Sequence, residues 1–413
     1  MEPPVPPGEV SIPEGPSAAA RDAARAGVYV HVPFCAVRCS YCDFATGRLS
    51  TGGVARWLDA LEREAALRAP EAAGTTFTSV FFGGGTPSAL PPEAFRRAAR
   101  AVRAHFAIDP GAEWTLEANP ESVTPARLDA WRAAGANRLS IGMQSAHADE
   151  LDRLGRAHAP GRPLVAAALA RRAGFARLSL DLMFAFPGHD AARFRASVAC
   201  ALGSGAEHLS AYCFIPEAGT PLGNAVLRGE ARVPAPETQA DLYEALHGWL
   251  EAAGLACYET SNFCRPGAEA RHNLVYWLRR PYVGLGPSAH GFLGGTRYEN
   301  PWAFERWAAA LERGTRPEAR REPETPESAA SETLMLGLRL AGGVRAADYA
   351  PAAWAAFEAR YGAALARAEG ARRVERTPWG WRLPRALRFV ADDAVAWIEA
   401  RAGRSLTVAP LGA

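Results

Sequence analysis

The chain has 413 residues, 48% of them hydrophobic, and a net charge of +2; this allows a core of ordinary size, in two domains or a barrel with an appendage, and argues against the basic footprint of a nucleic-acid-binding protein. It contains no lysine, so all 46 cationic side chains are arginine and Schiff-base, P-loop-lysine and lysine-base chemistry are excluded. No run of about 18 apolar residues occurs, which leaves no candidate for a membrane-spanning helix.

Residues 1–26 are rich in Pro and Ala and lack the basic-then-apolar pattern of a signal peptide; they are expected to form a disordered leader. From Gly27 onward, short apolar runs alternate with amphipathic ones. Residues 28–32, 79–82, 114–118, 138–141, 178–183 and 209–214 predict strands. Residues 54–67, 93–105, 125–134, 164–173 and 191–202 carry apolar side chains at three- and four-residue steps and predict helices. Such alternation implies parallel neighbours joined by crossover helices. Six units between residues 27 and 240 predict an α/β fold built as a partial (β/α)6 barrel, with a doubly wound open sheet sharing the same periodicity. A helix over 241–253 and a strand over 256–259 lead to a loop-rich region ending near Tyr298, so residues 241–316 read as an extension of the barrel. Residues 317–413 change character. Helices are predicted over 326–338 and 346–360, and a hairpin over 373–377 and 381–383, giving a smaller, mainly helical C-terminal domain with a short β wing.

Seven cysteines occur: Cys35, Cys39 and Cys42 crowd into eight residues, and Cys200, Cys213, Cys257 and Cys264 are scattered. A clustered trio suggests metal rather than a disulfide framework. The first predicted strand feeds this loop. Its three-then-two spacing lets the chain wrap a cube and present three thiolates, the soft ligands an Fe–S cluster requires. A 4Fe–4S cluster held by three cysteines leaves one iron open, and an open position is a reaction site. The methionine part of S-adenosylmethionine (SAM) can fill it, and one electron from the cluster then breaks the sulfonium C–S bond to give a 5′-deoxyadenosyl radical. The competing reading is a structural zinc site completed by His31 or Asp43, for which this spacing is unusual. The scattered cysteines read as small buried hydrophobes.

Four segments stand in order at predicted strand ends: HVPFC at 31–35, CDF at 42–44, GGGTP at 83–87 and EANP at 117–120. Together they resemble the radical SAM superfamily and, within it, the oxygen-independent coproporphyrinogen III oxidase-like group, from about Gly27 into the C-terminal domain. The resemblance implies a loop of Gly83, Gly84, Gly85 and Thr86 that holds the amino-acid part of SAM, its glycines allowing close approach and positive φ. It also implies SAM contacts by Glu117, by Tyr29 and Tyr41 beside the cluster, and by Gln144, Arg156 and Asp181. Taken alone, a triple glycine is a tight turn, and each polar residue a solvated group or a helix cap.

Phe44 stands where the oxidases carry a fourth cysteine. HNLVYW at 272–277 resembles the His-Asn-x-x-Tyr-Trp signature of HemW-type heme chaperones, with Ala270 where many of them carry a cysteine. This implies heme contact by His272, Asn273, Tyr276 and Trp277, with His272 as an axial ligand. On the residues alone, His272 and Asn273 cap a loop and Trp277 fills the core. The implied cofactors are a 4Fe–4S cluster, SAM and heme. The implied function is a heme chaperone that delivers heme to acceptor hemoproteins, membrane-bound ones included, with a reductant serving the cluster. The alternatives are oxidative decarboxylation of coproporphyrinogen III, an activity the residues at 44 and 272–277 speak against, and radical SAM methylation of heme. The expected location is the cytoplasm, with at most peripheral membrane contact, and no nucleic-acid partner is expected.

Overall fold

The computed structural model describes residues 15–402. Strands β1 (Gly27–Val32), β2 (Thr76–Gly84), β3 (Ala107–Ala118), β4 (Arg138–Gln144), β5 (Arg177–Phe184) and β6 (His208–Cys213) are parallel neighbours in that order. They contain five of the six predicted strands and all but the last residue of the sixth, and the helices Thr51–Arg68, Pro92–His105, Pro125–Ala133, Arg162–Arg172 and Ala191–Gly203 supply the crossovers. The two faces of each strand differ. Val28, Val30, Phe82, Leu116, Ile141, Leu180 and Leu209 are fully or almost fully buried in one apolar core with the helices. Their alternating neighbours Thr115, Glu117, Ser140, Asp181 and Ser210 line a cavity on the inner face, as the period of two along a strand dictates.

The sheet is wider than predicted. Beyond β6 lie β8 (Asn262–Cys264) and β7 (Ala256–Glu259), both antiparallel additions. Four strands are added at the other edge, three from the region read as loop-rich and one from the start of the segment read as the C-terminal domain. There β9 (Tyr282–Leu285) pairs with β1 as a seventh parallel strand, and β10 (His290–Leu293), β11 (Thr296–Glu299) and β12 (Arg320–Pro323) follow antiparallel, completing a sheet of 12 strands. Each of these four strands is only four residues long, too short for periodicity to register.

The expectation of a structureless leader is corrected for its second half. Ala18–Ala23 is helical, with the Ser17 side chain accepting from the Ala20 N–H as an N-cap. So short a helix is stable only through tertiary packing. Ala20 and Ala24 pack with Leu274, Leu278 and Leu340, and the buried Arg21 pairs with Asp348. Residues 1–14 of the predicted leader lie outside the described residues, as do residues 403–413.

The C-terminal unit has its own core, including Leu334, Phe357, Tyr361, Trp381 and Ile398. It comprises helices Pro326–Gly337, Pro351–Gly370 and Ala391–Glu399 and a small sheet of Val344–Arg345, Glu375–Thr377 and Gly380–Arg382. Because β12 belongs to the large sheet, this unit begins after Pro323 rather than at 317. The helix predicted from 346 begins at Pro351, where proline suits the first helical position.

One buried carboxylate ties the edge strands to the barrel. Glu64, on helix Thr51–Arg68, is fully buried. Its Oε1 accepts from Arg68 Nε at 3.0 Å and Asn300 Nδ2 at 2.7 Å. Its Oε2 accepts from the Gly286 N–H at 2.8 Å and Trp307 Nε1 at 2.9 Å. A buried ion is tolerated when its lone pairs are filled in this way, and removing it strands its partners. Glu64→Ala is expected to lower unfolding stability by about 3–5 kcal/mol, whereas Glu93→Ala, which removes an exposed carboxylate paired with Arg96, changes it by about 1 kcal/mol or less; denaturant titration of both variants checks the contrast.

Candidate functional site

The three clustered cysteines line a cavity of about 400 Å³, which lies toward the C-terminal ends of the parallel strands, where such barrels carry their chemistry. Cys35 ends the short strand Phe34–Cys35, and Cys39 and Cys42 follow in the loop. The loop is held from several sides. Ser40 donates from its backbone to the Leu154 carbonyl at 3.1 Å and from its hydroxyl to the Arg153 carbonyl at 2.7 Å, while its own carbonyl accepts from the Leu222 N–H at 2.8 Å. Thr86 Oγ1 donates to Cys35 Sγ at 3.4 Å, and Arg156 Nη1 donates to Cys39 Sγ at 3.3 Å. Burial pushes the Cys35 thiol up and the Cys42 thiol up to about 11, so metal ligation there displaces protons. Among the described residues no three His, Cys, Asp or Glu side chains close on a point as a single-ion site requires. Three soft donors around one cavity, with a guanidinium beside one of them, suit a cluster with one open iron.

The glycine loop lies directly under the cysteine loop. The Gly85 N–H donates to the Val32 carbonyl at 2.8 Å and the Thr86 N–H to the Phe34 carbonyl at 2.7 Å. A Cβ on Gly85 would stand 2.7 Å from the Phe34 carbonyl oxygen, and one on Gly84, whose φ is +103°, would stand 2.5 Å from the His31 ring. Glycine is required at both positions for contact reasons, and at Gly84 for its backbone as well.

Glu117 ends its cavity-lining face at the top of β3, where its Oε2 accepts from the Gly84 N–H at 3.2 Å. Burial, reinforced by nearby Asp181, pushes its carboxyl up to about 8. Asp181 accepts from the Ser140 hydroxyl at 3.0 Å and the Ser179 hydroxyl at 3.3 Å, and burial raises its carboxyl too. Arg156 Nη2 donates to Asn119 Oδ1 at 2.7 Å and to the Gly142 carbonyl at 3.0 Å. Gln144 takes φ +62° where the β4–β5 register shifts. That left-handed backbone in a residue other than glycine is local strain of the kind found at functional sites.

Of the predicted SAM residues, Tyr41, Gly84, Gly85, Thr86, Glu117, Gln144, Arg156 and Asp181 line the same cavity as the cysteines. Gly83 does not; its lack of a side chain leaves space for the Phe81 ring, which a Cβ would meet at 2.7 Å. Tyr29 lies outside this lining. Its hydroxyl is 3.1 Å from His31 Nδ1 and its ring stacks on Phe81, beside the cavity rather than in its lining.

The resemblance at 272–277 implies heme contact by His272, Asn273, Tyr276 and Trp277. These residues form the helix Arg271–Trp277. His272 is 1% exposed, with Nδ1 2.9 Å from Ser79 Oγ, Nε2 2.8 Å from the Tyr276 hydroxyl, and its ring stacked on Phe81. Burial lowers its pKa to about 3. Both nitrogens are hydrogen-bonded inside the barrel. Tyr276 is committed to His272, and Trp277 packs half-buried against a cluster containing Leu274 and Leu278. Only Asn273 reaches the cavity, where it donates to the Tyr258 hydroxyl at 3.3 Å.

Sequence reasoning missed the inner-face residues Thr115, Ser140, Ser179, His208 and Ser210. Ser179 Oγ is 2.7 Å from His208 Nδ1, whose Nε2 is 2.9 Å from the Tyr258 hydroxyl. The chain Asp181–Ser179–His208–Tyr258–Asn273 thus crosses the cavity floor. Its signal was present in the Leu-Ser-Leu-Asp-Leu run at 178–182, a polar residue at every second position of an otherwise apolar strand.

Residues 29–200 match the Radical SAM superfamily, and residues 325–390 match the HemN C-terminal domain. Over 321 residues the chain is 43% identical to the heme chaperone HemW of Mycobacterium tuberculosis, a stretch that covers 77% of this chain and 82% of that protein. To the heme chaperone HemW of Bacillus subtilis it is 34% identical over 319 residues, covering 76% and 84%. Its fold is similar to that of coproporphyrinogen III oxidase (HemN) from Escherichia coli, a radical SAM enzyme, with a TM-score of 0.78 at 21% identity and coverage of 93% of this chain and 94% of that one. With three thiols and a glycine loop converging on one cavity, and identity to HemW proteins sustained over more than four-fifths of their length, the chain belongs to the HemW family of the radical SAM superfamily.

Proposed function

We propose that the protein is a heme chaperone, which binds heme and passes it to acceptor hemoproteins, and that it carries a 4Fe–4S cluster on Cys35, Cys39 and Cys42 with SAM at the open iron. The observation that carries this reading is Phe44. It lines the cavity beside the three cysteines, half exposed, at the position where the oxidases place a fourth cysteine. The heme-chaperone designation of the M. tuberculosis and B. subtilis relatives supports the heme part of the reading. The protein is proposed to work in the cytoplasm with a reductant for the cluster and to meet membrane-bound acceptors peripherally; among the described residues no helix is long and apolar enough to cross a membrane.

When bound, the cluster and SAM supply one-electron chemistry. The chain's own groups do the holding. Gly84, Gly85 and Thr86 give a backbone cradle for the amino-acid part of SAM, Gln144 and Asp181 offer polar contacts across the cavity, and Arg156 steadies the Cys39 sulfur. Glu117 keeps its proton near neutral pH, because its carboxyl sits at about 8. A cationic ligand beside it favours the carboxylate and draws that proton off.

SAM binding at pH 7 is therefore expected to release about one proton, and Glu117→Gln to abolish that release; calorimetry in two buffers of different ionisation enthalpy measures it. The same group sets a pH slope in the free protein. Its folded pKa of about 8 lies above the unfolded carboxylate value, so the stability it contributes is complete below the unfolded pKa and is lost as pH rises through about 8. Thermal unfolding across that window is expected to show the wild type falling relative to Glu117→Gln.

The function itself is tested by anaerobic incubation of reconstituted protein with SAM, reductant and coproporphyrinogen III, alongside transfer of bound heme to an apo-hemoprotein. Heme transfer without protoporphyrinogen IX is the expected outcome. Protoporphyrinogen IX in the mass spectrum would make the protein a decarboxylating oxidase instead.

A further inference from the structure

We infer that heme seats across the mouth of the thiol-lined cavity, on an apolar rim formed by Val37, Phe44, Tyr212 and Ile215, and that it closes the cavity over SAM. This rests on the heme-chaperone reading above and gives it a location. Nine large hydrophobic residues are exposed among the described residues, and four of them line this one opening. Val37 is 53% exposed, Phe44 50%, Tyr212 46% and Ile215 66%. Single exposed hydrophobics are ordinary, but several gathered around one concavity mark a binding surface.

The rim has two sides. Val37 and Phe44 belong to the cysteine loop, flanking the cluster ligands in sequence, while Tyr212 and Ile215 stand at the end of β6. Met183 lies in the cavity lining and joins a satellite apolar cluster that also takes in the cysteine-loop residue Tyr41. The apolar surface therefore continues from rim to wall. Below it the cavity turns polar, with the carboxyl and hydroxyl groups of β3 to β6.

A flat macrocycle with apolar faces and a carboxylate edge matches this division. Its faces suit the rim, and the polar interior below is left to SAM. Of the charged groups on the rim, Arg38 rather than Asp43 or Glu217 suits a propionate. A heme so placed lies over the path by which SAM enters and leaves, so heme loading and SAM exchange obstruct one another.

The test uses the full chain with its cluster reconstituted anaerobically. Hemin is titrated by Soret absorption, and release of labelled SAM is timed with and without hemin. The variants are Phe44→Ser, Ile215→Ser and, as a control at an exposed residue of the C-terminal unit, Trp379→Ser. Losing one apolar contact of this size is expected to weaken hemin binding about tenfold in either rim variant, and Trp379→Ser is expected to leave it unchanged. In the wild type, hemin is expected to slow SAM release severalfold. Because Ile215 lies outside the cysteine loop, its variant reads the rim even if Phe44→Ser disturbs the cluster. Wild-type hemin binding that neither rim variant weakens, or SAM release that hemin leaves unaltered, overturns the inference while the chaperone reading stands. A wild type that does not bind hemin overturns both.

Discussion

A parallel sheet flanked by helices is ordinarily apolar on both faces, and this one is not. Along β3 to β6 the outer side chains are leucine, isoleucine and their like, and the inner ones are glutamate, serine, aspartate and histidine. The inner groups cannot be left bare in a region of low dielectric. They answer one another across the strands: Ser140 to Asp181, Ser179 to His208, His208 to Tyr258 and His272 to Ser79. That mutual satisfaction keeps the interior open enough to hold a polar ligand while the outer face supplies the cohesion. The raised carboxyl of Glu117 follows from the same arrangement, since it has one backbone donor and no cation against its burial.

The edge strands solve a related problem. A free β1 edge would present unpaired backbone beside the cysteine loop. β9 pairs with that edge, and Glu64 fixes the segment that follows by accepting from the Gly286 N–H and from Asn300 and Trp307. The strand that carries the chain into the cluster loop is thereby enclosed on both sides.

The residues that hold their chemistry locally were the ones legible in the sequence. The cysteine spacing, the glycine run and the six apolar strands each announce themselves within a short window, and the structure places them at one cavity. The partners of His272 do not. Ser79 lies 193 residues away, so the hydrogen bond by which it holds this ring inside the barrel cannot be read from the motif's own window. β9 to β12 are too short for periodicity, and the leader helix is held by tertiary contacts that composition does not encode. The inner-face serines were visible as an alternation, but a serine in a strand has no chemistry of its own until its neighbour across the sheet is known.

The helix Ala18–Ala23 precedes β1 in the chain, yet Arg21 is held by Asp348 and Ser17 by Glu269. In ribosomal order, the first of these elements to leave the exit tunnel is among the last to find its partners. The barrel strands can assemble while the clasp waits for the C-terminal unit. Its closure waits until the chain has been made at least as far as Asp348, and the arginine enters a buried position only once that aspartate exists to receive it.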